Sequence, residues 1–340
     1  MWNVELPAEP LGIPVALPDR IIVALRSGVV SAFHVSDGAE LWTSTVSAEG
    51  SLAAAADRVV VPSADAVHGL DAATGRIVWS APLGPLSAPV LLHSGWLIAA
   101  SRQQVIALRA SDGVRMWTRD VGDVEERPAV EGTSLYVPLV DGRLLALDVV
   151  SGSTRWEQQL GGAVSEPLAF ADRVYVATAD KYFHSRNAAT GKDEWVQRIG
   201  AVVPGRAAAD TSHVYVAALD NLLRAFDRIN GALRWKHGLA YRPGTGPIVT
   251  GESVFVPGRT AELRPFDART GKPGSPLKLA LPIVTVPALV PTPVDGPARL
   301  AILTAGPNQG WRLILAANPP PSLTVAPLTV LPGLALEIGG

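Results

Sequence analysis

Two histidines, His68 and His184, each stand seven residues before a glycine that closes a recurring turn, and equal positions in a repeat are where a metal or general-base site could be assembled. The two copies lie three repeats apart, so one ion could not bridge them. The other histidines, His34, His93, His213 and His237, form no pair at metal-ligand spacing. With no cysteine, the chain can supply no thiolate ligand, thiol nucleophile, disulfide or thiol-linked lipid anchor. The sequence contains no Gly-rich phosphate loop, calcium-loop ligand string or hydrolase elbow, and its carboxylates form no recognisable acid/base pair. No catalytic or metal-ligating residue is predicted.

What remains chemically expressive is a set of polar groups beside apolar strands. Glu126 and Arg127 come just before Pro128, Glu166 before Pro167 and Arg242 before Pro243, while Arg206 follows Gly205. Strand interiors are committed to packing, so such loop charges are where a binding surface is expected. Lys181, Asn221 and Arg259, in hairpins one strand further on, are expected to complete a ring around one mouth of a channel. Taken singly, each also fits a solvated loop.

Hydrophobic residues make up 48% of the 340 and charged ones 18%, enough for a large core and unlike a disordered chain. A net charge of -2 leaves no basic stripe to track a phosphate backbone, which argues against nucleic acid as the main partner. Residues 1–10 lack the basic start and apolar run of a secretion signal. An extracytoplasmic location therefore presupposes a trimmed leader, and a cytoplasmic one does not. The apolar segment 322–338 is interrupted by Pro327, Pro332 and Gly333, so no spanning helix is predicted. Residues 322–340 are expected to cover an outer edge or to meet another protein.

The positioning elements announce themselves by a period. Turn glycines at Gly38, Gly75, Gly113, Gly152, Gly191, Gly231 and Gly271 are 37 to 40 residues apart, and the first six are followed four residues later by Trp42, Trp79, Trp117, Trp156, Trp195 and Trp235. A repeat of this length marks a propeller or solenoid, whose units bury their faces only against one another, so residues 1–340 are expected to form one domain and a monomer. Six positions before each glycine the residue is small, from Ala32 and Gly69 to Ala225 and Pro265. Apolar residues flank it on both faces, so the strand is predicted to be covered on both sides. Asp71, Asp148, Asn187, Asp227 and Asp267 stand four before their glycines, where a side-chain oxygen can clamp the loop N–H groups, and the glycines are predicted to supply the positive φ.

The runs LDAATGRIVW (residues 70–79) and ALDVVSGSTRW (residues 146–156) resemble the tryptophan-docking motif of the PQQ-like β-propeller repeat family. The resemblance implies an all-β, WD40-like architecture of four-stranded antiparallel blades, with each indole wedged between blades over the small residue of a neighbour. Trp2 lies one repeat before Trp42, so Trp2 joins the six as an inter-blade residue on an outer strand without a blade of its own. Strands expected at 285–290, 299–304 and 311–316 would receive it, giving eight blades closed by the two chain ends, with seven blades as the alternative. Ser275 replaces the seventh tryptophan.

For function, the resemblance to the BamB group of eight-bladed propellers implies a non-catalytic scaffold that binds protein in the bacterial cell envelope. Two alternatives are a ligand-sensing propeller and an alcohol or sugar dehydrogenase carrying pyrroloquinoline quinone (PQQ) with Ca²⁺. This chain lacks the cysteines and the acidic calcium cluster of those enzymes, so neither PQQ nor Ca²⁺ is expected. It also lacks the lipid-bearing N-terminal cysteine of the BamB group.

Overall fold

A computed structural model describes residues 2–317 apart from 56, 292–298 and 307–308, and the segment 322–340 lies outside them. The described residues contain strands and no helix. Residues 10–44, 53–82, 88–120, 129–159, 168–198 and 208–238 each fold into a four-stranded antiparallel sheet whose neighbours in space are neighbours in sequence. These are the first six blades. Alternate side chains of each sheet meet those of the next, as where Ile98 and Val105 pack with Leu135, Val137 and Leu147.

The eighth blade is assembled from both ends of the chain. Ala288–Val290, Arg299–Gly306 and Gly310–Ala317 supply three strands, and Trp2–Leu6 adds the outermost, pairing from Trp2 opposite Leu315 to Leu6 opposite Trp311. Leu313 and Leu315 then pack with Ile21, Val23 and Phe33 of the first blade, which closes the ring and leaves no open sheet face at either end. The structure thus has eight blades, and the last unit begins at Ala288, slightly later than expected.

The seventh blade departs from four continuous strands. Its third strand is broken at Arg264: Glu262–Leu263 pairs with Leu277–Lys278, whereas Pro265–Asp267 pairs with Ser253–Phe255. Pro265 has no N–H to donate to the ladder, and a proline in a central strand interrupts it.

In each of the first six blades the pairing of third and fourth strands slips by one residue beside the tryptophan. Ala32 faces Trp42 but Phe33 faces Glu40, leaving Leu41 as the extra residue; Val78, Met116, Arg155, Glu194 and Arg234 occupy the same place. Such a bulge re-aims the side chain beside it. Here it turns the indole toward the next blade, while Leu41, Val78 and Met116 are left exposed.

All seven tryptophans anticipated as inter-blade residues dock in one way. The indole N–H of Trp2, Trp42, Trp79, Trp117, Trp156, Trp195 and Trp235 donates to the carbonyl of Val35, Ala72, Ala110, Val149, Ala188, Arg228 and Ala268 respectively, at 2.9 to 3.1 Å. Each acceptor belongs to the following blade and lies three residues before its turn glycine. The ring lies against that glycine: a Cβ there would come within 2.4 to 2.8 Å of the indole, and φ at these glycines is +69° to +78°. The turn glycine therefore serves both the backbone conformation and the seat of the neighbour's ring.

This corrects the expectation about the small residue. It belongs to the tryptophan's own blade, directly across the strand pair, as Gly69 faces Trp79 and Ala146 faces Trp156. A Cβ on Gly69 would lie 2.0 Å from the Trp79 ring, so the position is small to let the indole lie flat across its own sheet. The neighbour contributes a glycine and a carbonyl instead.

The loop clamps form as expected. The Oδ1 atom of Asp71, Asp148, Asn187 or Asp227 accepts two backbone N–H groups within its turn, and that of Asp267 accepts the Thr270 N–H and hydroxyl. Where His34 and Arg109 replace the acid, Asp37 and Asp112 take over by accepting the N–H of Ala39 and Val114. Arg186, charged where the other copies carry an apolar residue, donates to the Gly191 carbonyl and pairs with Asp193, while its Nε has no hydrogen-bond partner among the described residues.

Candidate binding mouth

In each regular blade the loop from its last strand to the next blade and the hairpin between its second and third strands open on the same end of the ring. The fold therefore gathers most of the sequence-predicted mouth residues. Glu126, Arg127, Glu166 and Arg206 line a central cavity of about 520 Å³ together with Ile13, Ala208, Pro247 and Leu289 from other blades. Arg242 and Arg259 line an adjoining cleft of about 310 Å³, and Thr245 borders both spaces.

Lys181 and Asn221 line neither. They hold φ of +73° and +62° in their hairpins, and their carbonyls accept N–H groups from Ile199 and Leu239, which close the last strand of their own blades. Polar residues there satisfy the turn. The sequence placed them on the right end of the ring, but their backbone roles separate them from the cavity.

The mouth is electrically lopsided. Glu125 and Glu126 come from the loop before the fourth blade and Glu166 from the loop before the fifth, whereas Arg206 and Arg242 come from the loops before the sixth and seventh. Glu126 has an accessible side chain but sits in a concave wall, where burial first, then the charges of Glu166 and Glu125, raises its carboxyl above the usual range. Arg206 reaches Glu166 at only 3.9 Å. The Nε of Arg127 is enclosed by protein with no hydrogen-bond partner among the described residues.

The donor set of this cavity does not supply an oxygen cage for Ca²⁺. A hard dication calls for six to eight oxygen ligands including carboxylates. Among the described residues no three metal-ligating side chains converge, and the acids of the cavity share it with Arg127 and Arg206. His68 is held by Ser63 and Ser80 in the second blade, and His184 lies beside Thr178 in the fifth. Arg224, at the same register as His184, pairs with Asp220 in its own blade.

A second inter-blade donor escaped the sequence reading. Tyr136 and Tyr175 send their hydroxyls to the carbonyls of Ala188 and Arg228, the acceptors used by Trp156 and Trp195, and the Tyr215 hydroxyl lies 3.0 Å from the Ala268 carbonyl used by Trp235 while also facing the Asp210 carboxylate at 2.5 Å. The signal was present, since each tyrosine stands sixteen residues before its turn glycine.

A closed ring of eight blades, with indoles docked from blade to blade and a polar mouth, defines a tryptophan-docked β-propeller. A family model described as outer membrane protein assembly factor BamB matches residues 1–122, 26–163, 101–203 and 187–274, and the chain belongs to that family. A curated relative, outer membrane protein assembly factor BamB of Moranella endobia, is 30% identical over 31% of this chain and 31% of its own length. The crystal structure of BamB from Moraxella catarrhalis superimposes over 93% of this chain and 96% of its own, with TM-score 0.74 and 21% identity. The quinohemoprotein alcohol dehydrogenase of Comamonas testosteroni superimposes over 92% of this chain and 72% of its own, with TM-score 0.72 and 15% identity, a likeness of fold alone. Among the described residues no helix is long and apolar enough to cross a membrane.

Proposed function

We propose that this chain is a non-catalytic scaffold of the bacterial cell envelope whose mouth binds a protein partner, in keeping with relatives named as outer membrane protein assembly factors. The observation that carries this reading is the composition of the mouth. Acids predominate in the loops before the fourth and fifth blades and arginines in those before the sixth and seventh, around an apolar-walled cavity, an arrangement suited to orienting a polypeptide segment by charge. Blade interiors are occupied by packing and docking, so the mouth and outer edges are the surfaces left for recognition. Crosslinking in the native cell from photoreactive residues at positions 166 and 206, followed by partner identification, tests it. One envelope protein captured from both positions supports the scaffold, and failure to capture any protein counts against it.

The alternative of a PQQ-dependent dehydrogenase draws on the superposition with a quinohemoprotein alcohol dehydrogenase. Purified protein incubated with PQQ and Ca²⁺ should reduce no dye with alcohols or sugars. Turnover would replace the scaffold reading with the enzymatic one.

A further inference from the structure

The cleft at the sixth-to-eighth blade side of the mouth gathers positive charge on one concave wall. Several exposed arginines elsewhere sit beside local acids: Arg26 with Glu9, Arg109 with Asp112 and Arg234 with Asp227. Arg242 and Arg259 line one concave space with no carboxylate in its wall, and neither has an ion-pair partner among the described residues. Like charges gathered in a low-dielectric cleft repel one another unless an anion lies between them, and such a cleft focuses its field outward.

The arginine-bearing turn is built to hold its shape. Tyr241 lies against Gly258, where a Cβ would come within 2.4 Å of the ring, and its hydroxyl donates to the Val256 carbonyl. Burial pushes that phenol up to about 12, so it remains a donor at neutral pH. The turn is also tied to the next blade, because the Thr260 carbonyl accepts the Ile283 N–H. Arg259 is thus presented from a backbone fixed on two sides, while Thr245 and Thr285 add hydroxyls to the wall.

We propose that this cleft binds an acidic peptide segment of a protein partner, with its carboxylates on Arg242 and Arg259. Guanidinium groups suit carboxylates because two parallel N–H groups meet two oxygens. A peptide fits better than a free small anion, because the cleft runs past Thr245 into the central cavity and its walls include Pro257, Ile283 and Val284 for the residues flanking an acid. The inference deepens the scaffold reading, since it presumes a protein partner and names its charge.

Fluorescein-labelled hexaglutamate, titrated into the full-length protein and followed by anisotropy, tests the cleft without knowledge of that partner. Saturable binding should weaken at least tenfold in R242Q/R259Q, stay unchanged in R198Q on an exposed outer strand, and weaken as salt rises. Gly258→Ala keeps both charges but displaces Tyr241, and should weaken binding severalfold. Should the double variant melt early, Arg259→Gln alone, on an exposed turn, carries the same test. Equal binding by wild type and arginine variants would overturn the proposal, as would displacement by inorganic phosphate at equal concentration, which would mark a small-anion site. A negative result here beside a protein captured by crosslinking would leave the scaffold standing and remove only the acidic-segment assignment.

Discussion

Seven of the eight blade junctions are pinned by an indole, and the one between the seventh and eighth blades is not. The difference follows from how the ring closes. Docking needs a hairpin between the third and fourth strands of the receiving blade, because that hairpin supplies both the turn glycine and the acceptor carbonyl. In the eighth blade those two strands are Gly310–Ala317 and Trp2–Leu6, the two ends of the described chain, with no hairpin between them. A tryptophan on the seventh blade would have no seat, and Ser275 stands at that place. The junction relies instead on Phe255 and Leu263 packing with Ile283, Leu300, Ile302 and Ile314, and on the pairing of Ile283 with Thr304.

The largest expected effect falls on a pinned junction. Trp79→Ala removes a buried ring and leaves the Ala110 carbonyl without its donor, so denaturant unfolding should show a loss of about 3 to 5 kcal/mol. Next is the seat itself. Gly113→Ala meets both a φ of +71° and the Trp79 ring at 2.5 Å, and should cost about 2 to 4 kcal/mol. Gly132→Ala has a φ of +58° with open space around it, and should cost only about 1 kcal/mol. The gap between these two glycines isolates the indole contact from the backbone conformation. Similar losses at both would mean that the seat contributes nothing.

A smaller effect concerns the clamp of a receiving hairpin. A hydrogen bond from Arg155 first, then those from Ser151 and Val150, holds the Asp148 carboxyl at about 2. A depressed acid stabilises the fold above its ordinary range and loses that contribution as pH falls through the folded value. The clamp should therefore persist down to about pH 2, and a carboxyl-carbon NMR titration should place the midpoint there. A midpoint near 3.8 would show an unclamped loop. The smallest effect is expected at the unpinned junction: Ser275→Trp should change stability by less than about 0.5 kcal/mol, as at an ordinary exposed site. A gain comparable to the Trp79→Ala loss would show that a seat exists there after all.

Much of this was legible in the sequence because the repeat reports local geometry. The glycine-to-tryptophan spacing announced the hairpin, the blade and the docking residue, and Trp2 one period before Trp42 announced the closure. The partner of each contact was harder to read. A small residue six before the glycine is compatible with an indole from its own sheet or from the next, and only the register showed which. The bulge beside each tryptophan leaves no compositional trace, since Leu41, Arg155 and Glu194 share the place. At the mouth, charges before prolines pointed to Glu126, Arg127, Glu166 and Arg242, and Arg206 after Gly205 joined them, but seeing that acids predominate on one side and arginines on the other required the order of blades around the ring. Lys181 and Asn221 were grouped with them because a left-handed turn residue and a ligand-facing residue look alike in one sequence.

Native-state hydrogen exchange in increasing sub-denaturing urea tests the central claim most directly, because it reads the stability of each junction separately. If the missing hairpin makes the seventh-to-eighth junction the weak point of the ring, the amides of Ser253–Phe255 and Ala288–Val290 should lose protection at lower urea than those of Trp96–Ser101 and Ser134–Pro138, which flank a pinned junction. Uniform loss of protection around all eight blades would contradict it.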